Sequence, residues 1–285
     1  QFGWGLMLMV LGLFEKIVLA DGVFAPVSDK AFGSAELLHP LDAWIGTLAF
    51  SGQIFCDFAG YTTCAIGMSL VLGFALPDNF RYPYAAIGFS DFWRRWHISL
   101  STWLRDYLYV PLGGNRNGAA RTYVNLMLTM LLGGLWHGAA WTFVVWGGLH
   151  GSYLAAERWL KPRLGHLAVW RTWLGRVALA ALTYFLVNLT WVFFRAQDFA
   201  TADRMIRSML LLDRGGAPVM STWFLLSTTV AIGALLVAHW RMRDQMLHDA
   251  VSRWPAALVG SAWGAMLFLI AITQGGGNAF IYFQF

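Results

Sequence analysis

The fold is decided by a long stretch without Asp, Glu, Lys or Arg, Thr122–Ala156, which reads TYVNLMLTMLLGGLWHGAAWTFVVWGGLHGSYLAA. A helix needs about 20 mostly apolar residues to cross the hydrocarbon core of a bilayer, and this stretch is longer than that. Three more uncharged stretches of sufficient length follow it, at Val177–Phe194, Ala217–Trp240 and Trp254–Phe285. This part of the chain therefore predicts several membrane-spanning helices.

The N-terminal part of the chain is also apolar, but single charges interrupt it. Its apolar stretches are Phe2–Ala20, which contains Glu15 and Lys16, and two stretches that Asp57 separates, Ala43–Cys56 and Phe58–Pro77. Because lipid offers no hydrogen-bond partner to an exposed backbone, such stretches should be helical. The expected fold is an all-α, polytopic integral membrane protein with about six to eight membrane-embedded helices.

Composition agrees with this class and excludes others. Of the 285 residues, 58% are hydrophobic and 12% are charged, whereas a soluble domain has about 25% charged residues. The 16 Trp and 9 Tyr are typical of membrane interfaces, where amphipathic rings collect. The net charge of +5 then reflects loops beside membrane spans rather than a nucleic-acid partner.

The sequence has no fixed repeat and no low-complexity linker, which predicts one membrane-embedded domain over residues 1–285. It begins at Gln1, within an apolar segment that lacks the charged region and cleavage site of a signal peptide. We therefore expect this domain to be truncated at its N-terminus, with further membrane helices upstream of Gln1.

The distribution of Lys and Arg predicts which loops face the cytoplasm. Loops 157–176 and 241–253 lie on one side if each intervening stretch crosses once, and both are rich in Arg. By the positive-inside rule this side is cytoplasmic, and so is the Arg-rich segment 94–121. Residues 199–212, in the loop on the opposite side, have an apolar face of Met205, Met209 and Leu212 and predict an interfacial helix.

Residues Asp91–Leu112 are too charged to cross lipid alone. Their apolar side chains recur with the 3.6-residue period of an amphipathic helix, at Trp93, Trp96, Leu100, Trp103, Leu104 and Tyr107. Such a helix lies at the interface or enters a protein-lined cavity as a re-entrant segment. His97 would lie on its apolar face.

His137 is the strongest candidate for chemistry. It lies in the middle of the longest internal uncharged stretch, within GGLWHGAAW, residues 133–141. An ionisable side chain inside a membrane is costly, and an imidazole can move protons near neutral pH. The alternative is a neutral imidazole bonded to a backbone carbonyl of a neighbouring helix, and the residues alone leave both roles open. For His97 and His150 they favour a structural role.

Other polar groups have two interpretations as well. Arg94, Arg95 and Arg105 could bind the phosphates of an anionic ligand, or they could only anchor the segment on the cytoplasmic side, which the residues favour. Asp57, one turn after Gln53, could pair with Arg or Tyr, or be part of a polar cavity. The sequence has no Gly-rich phosphate loop, GxSxG elbow or metal-ligand motif, which argues against an ATPase, a serine hydrolase and a metal enzyme.

Several of these runs together resemble the membrane-bound O-acyltransferase family, and within it the bacterial alginate O-acetyltransferase-like branch. They are SDFWRRWHISLS at 90–101, DYLYVPLGGNR at 106–116, GLWHGA at 134–139, DFAGY at 57–61 and FIYFQF at 280–285. The resemblance covers nearly the whole chain. One departure is Thr62-Thr63-Cys64, where many relatives have a second acid, which places the chain in a variant subgroup.

The resemblance implies a multi-helix bundle with re-entrant or interfacial helices around a central cavity, which His97 and His137 are expected to approach from different segments. It implies His137 and His97 as catalytic residues and acetyl-CoA or another acyl thioester as a cytoplasmic donor, with no permanently bound cofactor. Asn125 or His97 would position the thioester or stabilise the oxyanion. Relatives of this branch work in the bacterial inner membrane with a periplasmic acetyltransferase partner and a polysaccharide acceptor.

We therefore expect an O-acetyltransferase that passes an acetyl group from a thioester to a hydroxyl of an extracytoplasmic polysaccharide or of an acyl-carrier partner. Two alternatives come from other classes. A proton-coupled transporter would also need intramembrane His and Asp, although the inverted repeats typical of transporters are not visible in the sequence. A non-catalytic membrane scaffold of a polysaccharide-modifying complex would need no histidine chemistry.

Overall fold

A computed structural model describes residues 1–212 and 215–273. Its α-helices, in chain order, are α1 Phe2–Leu13, α2 Ala25–Phe32, α3 Pro40–Val71, α4 Phe89–Trp93, α5 Ile98–Leu104, α6 Gly118–His137, α7 Trp141–Leu164, α8 Trp173–Arg195, α9 Phe199–Met209, α10 Thr222–Met242, α11 Leu247–Val251 and α12 Ala256–Thr273. The other helical elements are two π-helical segments, Phe14–Phe24 and Arg105–Tyr109, and two short 3₁₀ turns, Pro83–Ala85 and Ala168–Arg171. The run FIYFQF at 280–285 lies outside the described residues.

The predicted all-α fold is confirmed. Over the described ranges, the β-structure consists of an isolated bridge between Leu38 and Ala217. Four described helices are long and apolar enough to cross a membrane: α3, α8, α10 and α12. Only 17% of the most apolar window of α10 and 11% of that of α12 is buried, so most of their apolar surface is left for lipid. The expected six to eight membrane-embedded helices stay a prediction.

One predicted boundary was wrong, and the long uncharged stretch divides into two helices. Asp57 does not separate two helices, because α3 runs without interruption through it from Pro40 to Val71. The stretch 122–156 is not one helix, because the backbone leaves the helical conformation at Gly138 and Ala140 and separates α6 from α7. In the first case an ion pair offsets the cost of the buried carboxylate, and in the second the chain makes a tight reversal between two closely packed helices.

The chain forms two compact units, and the first comprises Gln1–Asn79 and Arg207–Phe285. Its continuous helical stretch from α1 through Phe14–Phe24 to α2 packs antiparallel along α3, because Gly5 meets Gly67 and Gly12 meets Gly60. Small residues of this kind let membrane helices approach to backbone contact. Cys64, part of the departure from the family pattern, lies at this contact, with its Sγ 3.3 Å from the carbonyl oxygen of Met9.

A buried ion pair joins the π-helical segment to α3. Lys16 Nζ lies 2.5 Å from Asp57 Oδ1 and 2.9 Å from Asp21 Oδ1, and Asp57 is almost fully buried. A carboxylate in an apolar interior persists only with a partner of this kind. The partner of Asp57 is therefore a lysine from the preceding helical segment, where the sequence suggested Arg, Tyr or a polar cavity.

Replacing Lys16 with Met is expected to destabilise the protein by about 3 kcal/mol, because it leaves the Asp57 carboxylate buried without its counter-ion. The double variant Lys16→Met/Asp57→Leu should recover most of this loss. The measurement is thermal unfolding of the detergent-solubilised full-length protein. Lys30→Met, at an exposed lysine, is the matched control, and an equal effect of both single variants would contradict the role given to the ion pair.

The second unit comprises Phe80–Ile206, and its centre is the antiparallel hairpin of α6 and α7. A Cβ atom on Gly134 would collide with the carbonyl oxygen of Phe143, and one on Gly147 with that of Met130. The two helices are therefore in backbone contact, and α8 packs against α7. The expectation of one domain over 1–285 stays a prediction, because a membrane domain can contain more than one compact unit.

The predicted continuous amphipathic helix at 91–112 was wrong, because the helix breaks at its centre. His97 has φ 43° and ψ 56°, a left-handed conformation that ends the turn after α4 and begins α5. Trp96, Leu100 and Leu104 are buried as the pattern predicts, but Trp103 and Tyr107 are exposed.

The helix predicted at 199–212 is present as α9, which ends at Met209. Met205 and Met209 are buried, whereas Leu212, which was predicted on the same apolar face, is exposed because it lies beyond the helix. The predicted interfacial position of α9 stays a prediction. Asp213 and Arg214, two of the charges of this loop, lie outside the described residues.

Candidate active site

His137 is the last residue of α6, at the turn of the α6–α7 hairpin. The following residue, Gly138, is extended, and a Cβ atom there would lie 2.5 Å from Cε2 of Phe143. The imidazole is thus at the end of a helix held in backbone contact with its neighbour. The sequence placed His137 in the middle of an apolar stretch, and the structure places it where that stretch turns.

Aromatic rings from α7 and α8 surround the His137 imidazole. Its centroid lies 5.1 Å from those of Trp146 and Phe194, both in edge-on contact, and 6.4 Å from that of Phe143. All three aromatic side chains are buried. Walls of this kind keep bulk water away from the imidazole, which favours its neutral form.

His97 approaches this cluster from a different part of the unit. Its ring centroid lies 6.3 Å from that of Trp136, and Trp136 lies 5.1 Å from His137. His97 is buried, and burial lowers its pKa to about 4, so its imidazole is neutral at physiological pH. The structure thus places both histidines against Trp136, at the end of α6, and their opening to a shared cavity stays a prediction.

The unusual backbone of His97 is held by polar contacts on the segment before it. Asp91 accepts hydrogen bonds from Arg95 Nε at 2.8 Å and from the Ile87 amide at 2.9 Å, while the amide of Arg81 donates to the carbonyl of Arg95 at 2.9 Å. Left-handed φ at a non-glycine residue is uncommon and clusters at functional sites. These bonds fix the turn that presents the His97 side chain.

His150 completes the cluster from α7, one turn after Trp146. Its Nε2 lies 2.9 Å from Thr190 Oγ1, whose own proton is donated to the carbonyl of Val187 at 2.7 Å. His150 Nε2–H is therefore the donor, and Nδ1 carries the lone pair in the neutral ring. Trp146 contacts both histidines, with its centroid 4.8 Å from His150 and 5.1 Å from His137.

Thr190→Val is expected to weaken the acetyl transfer predicted from the sequence about tenfold and to leave the protein folded. The substitution preserves shape but leaves a buried Nε2–H without an acceptor, a cost of about 1–3 kcal/mol that displaces His150 and the Trp146 ring against His137. Thr190→Ser keeps the acceptor and should retain activity. The check is the rate of transfer by both variants at matched protein levels, and equal rates would contradict a positioning role for His150.

Two of the arginines suggested for phosphate binding have carboxylate partners within the protein. Arg95 pairs with Asp91, and Arg105 Nε and Nη2 form a two-pronged contact with Asp106 at 2.7 and 3.1 Å. The Arg105 guanidinium accordingly holds the pKa of Asp106 below its usual range. Arg94 is exposed and donates to the carbonyl of Ser90 at 3.0 Å. A donor-binding role for the three stays a prediction.

Asn125 and Asp57 have structural contacts of their own. Asn125 Nδ2 donates to the carbonyls of Leu112 and Gly114, both at 3.1 Å, and so fixes the turn after the second π-helical segment. Asp57 belongs to the first unit, where it pairs with Lys16. Within the described part of the chain, no three His, Cys, Asp or Glu side chains are grouped to hold a metal ion.

Sequence reasoning gave little weight to two residues that the structure makes central. The sequence favours a structural role for His150, and no pattern in it singles out Glu157. Glu157 Oε2 accepts hydrogen bonds from the backbone amides of Phe89, at 2.5 Å, and Ser90, at 2.9 Å. These bonds orient the start of α4. The spacing of Phe143, Trp146 and His150, which puts them on one face of α7, was the available signal for His150.

Comparisons with known proteins point to one family. The profile of the membrane-bound O-acyltransferase family matches residues 2–165, which include His97, His137 and His150. The chain is 45% identical to a probable alginate O-acetylase of Azotobacter vinelandii over 209 residues. The aligned region covers 73% of this chain and 40% of that protein.

Two further relatives extend the comparison. A probable alginate O-acetylase of Pseudomonas fluorescens is 41% identical over 262 residues, which is 90% of this chain and 50% of that protein. A peptidoglycan O-acetyltransferase of Helicobacter pylori is 43% identical over 211 residues, 73% of this chain and 39% of that protein. The chain thus spans between about two fifths and half of the length of these relatives.

Proposed function

Because this chain belongs to the membrane-bound O-acyltransferase family, we propose that it carries the catalytic histidines of an O-acetyltransferase. The enzyme passes an acetyl group from a cytoplasmic thioester to a hydroxyl of an extracytoplasmic polysaccharide. The observation that supports this proposal is that His137 and His97 both contact Trp136, and that His137 also contacts the buried rings of Trp146 and Phe194. Neutral imidazole in such surroundings is suited to act as a general base.

The reaction requires one base and one group that stabilises negative charge. The hydroxyl oxygen of the acceptor attacks the acetyl carbonyl carbon while His137 takes the hydroxyl proton. The tetrahedral intermediate then collapses, the carbon–sulfur bond breaks, and the imidazolium of His137 returns the proton to the departing thiolate. His97 donates a hydrogen bond to the oxyanion. Asn125, whose side-chain amide donates hydrogen bonds to the turn at 112–114, orients the chain segment between His97 and His137.

Apolar surroundings help to protect the thioester. The buried rings of Trp146, Phe194 and Phe143 limit the access of water to the half-buried His137, which suppresses hydrolysis of the donor and strengthens each hydrogen bond at the reacting carbon. No cofactor needs to remain bound between turnovers, since acetyl-CoA or a similar acyl thioester enters as a substrate.

The names of the relatives guide the choice of acceptor. Because those relatives are named for alginate and for peptidoglycan, we propose a polysaccharide acceptor, reached together with a periplasmic acetyltransferase partner. The setting is the bacterial inner membrane, which the chain crosses several times with the Arg-rich segment 94–121 facing the cytoplasm.

The test uses the full-length protein in vesicles, with a thioester labelled in its acetyl group supplied on the cytoplasmic face. We expect the label to become covalently attached to the polysaccharide acceptor, and the attachment to require His137. Label that crosses the vesicle without becoming attached would indicate a transporter. Full acetylation by a His137→Ala protein that still assembles its partners would indicate a scaffold.

A further inference from the structure

A cavity of about 530 Å³ lies at the C-terminal end of α7, within the second unit. We call it the basic cavity, and its lining includes Ser90 of α4, Tyr123 of α6 and, from α7, Arg158, Trp159, Lys161 and Arg163. Its lining contains neither His137 nor His97, so the cavity is separate from the candidate active site. Its volume is in the range of small-molecule sites, roughly 300–1,000 Å³.

Two charged side chains at the basic cavity already have partners. Glu157, which also lines it, accepts the backbone amides of Phe89 and Ser90, so its negative charge is directed to the start of α4. Arg163 Nη1 donates to the carbonyl of Trp159 at 2.6 Å, and its guanidinium lies 4.2 Å from the Trp159 ring centroid. The remaining charge of the lining is positive.

Four hydrogen-bond donors of the lining have no acceptor among the described residues. They are the guanidinium of Arg158, the ammonium of Lys161 and the hydroxyls of Ser90 and Tyr123. A cavity that presents two cations and two hydroxyls, and whose carboxylate is already engaged, is complementary to an anion with several oxygens.

Cations at this position have a simpler explanation, which accounts for only part of the observation. Lys and Arg near the end of a helix stabilise its dipole, and they mark the cytoplasmic side of a membrane protein. Neither effect requires a cavity whose lining also contains hydroxyl groups from two other helices. Arg95 and Arg105, by contrast, form ion pairs with the carboxylates of Asp91 and Asp106.

We propose that the basic cavity binds a phosphate ester. The planar fork of Arg158 matches two phosphate oxygens, Lys161 adds a point charge, and the hydroxyls of Ser90 and Tyr123 donate to the remaining oxygens. Two sources supply this group: the phosphates of the thioester donor and the headgroup of an anionic phospholipid. The donor source rests on the proposed function, and α4, which carries Ser90, leads directly to the turn that presents His97.

The experiment compares two variants of the full-length protein that lose the same charge. Arg158→Gln/Lys161→Gln removes the free cations of the basic cavity, and Arg171→Gln/Arg176→Gln removes two exposed cations outside its lining. Both are made in the His137→Ala background, so that binding is measured without turnover. The probes are coenzyme A, by equilibrium binding in phosphatidylcholine nanodiscs, and phosphatidylglycerol, by its retention in native mass spectrometry.

We expect the cavity variant to bind one probe at least about tenfold more weakly and the control variant to bind both as the parent does. Tyr123→Phe, which changes no charge, should weaken the same probe roughly threefold. Loss of coenzyme A identifies the donor as the source, and loss of phosphatidylglycerol identifies lipid. Unchanged binding of both probes, or an equal loss in the control, overturns the proposal. Absence of acetyl transfer by the protein that retains His137, together with intact coenzyme A binding, overturns only the proposed function.

Discussion

Replacing His137 with Ala is expected to reduce acetyl transfer by about 10²–10⁴-fold, because it removes the proposed general base for the acceptor's proton. The protein should still fold, since His137 ends α6 and the α6–α7 hairpin is held by backbone contact at Gly134 and Gly147 rather than by the imidazole. The measurement is labelled acetate attached to polymer per molecule of protein, at saturating donor. Donor binding should change little, so the loss should appear in kcat.

The control for this prediction is His166→Ala, which removes an exposed imidazole from the same unit. It should have the activity of the parent protein. A His137→Ala variant that retains more than a tenth of the parent activity would assign the base to another group. His150, whose Nδ1 carries a lone pair in the same cluster, would then be the next candidate, and His137→Ala/His150→Ala would decide between the two.

Gly147→Ala is expected to abolish most activity and to lower the thermal stability of the protein. The added methyl group would collide with the carbonyl oxygen of Met130, so α6 and α7 must move apart. Overpacking of a core costs typically 1–3 kcal/mol, and backbone has less freedom to yield than a side chain. Because His137 ends α6, a displacement of about 1 Å would cost on the order of 10²-fold in rate.

The neighbouring residue provides a closely matched control. A Cβ atom on Gly148 would lie 3.5 Å from Cδ2 of Leu131, an ordinary van der Waals contact, so Gly148→Ala should be close to neutral. Unfolding temperatures and transfer rates of the two variants are the measurements. If both behave alike, close packing of the α6–α7 hairpin does not position His137.

The helical class followed from the sequence because charge and hydropathy alone determine which segments can enter lipid. The stretch Thr122–Ala156 forms α6 and α7, neither of which is among the four described helices long and apolar enough to cross a membrane, so its place in the membrane stays a prediction. Its glycines suggested close helix contact, which Gly134 and Gly147 make. The division into α6 and α7 did not follow, because hydropathy is the same on both sides of Gly138. What separates them is backbone geometry against Phe143, a contact that exists only after the hairpin has formed.

The polar details of the candidate site depended on contacts between distant segments. The 3.6-residue period predicted the buried face of Trp96 and Leu100, but it contains no information on the left-handed backbone of His97. That conformation is imposed by Asp91 and by contacts from Arg81. Asp57 likewise could be recognised as needing a partner, whereas the choice of Lys16 depends on how the two helices align.

The π-helical segment Phe14–Phe24 makes the spacing of Lys16 and Asp21 meaningful. Residues five apart share a face where backbone bonds run from i to i+5, whereas in an α-helix the same side chains would diverge by about 140°. The lysine can therefore hold Asp21 and Asp57 together only while the wider winding persists. Removal of one residue between positions 16 and 21 would let an ordinary α-helix make the same pair, but it would rotate everything that follows, including α2, by about a quarter turn. The extra residue of the π-helical turn thus determines the rotation about the helix axis with which the rest of the N-terminal helical stretch packs against α3.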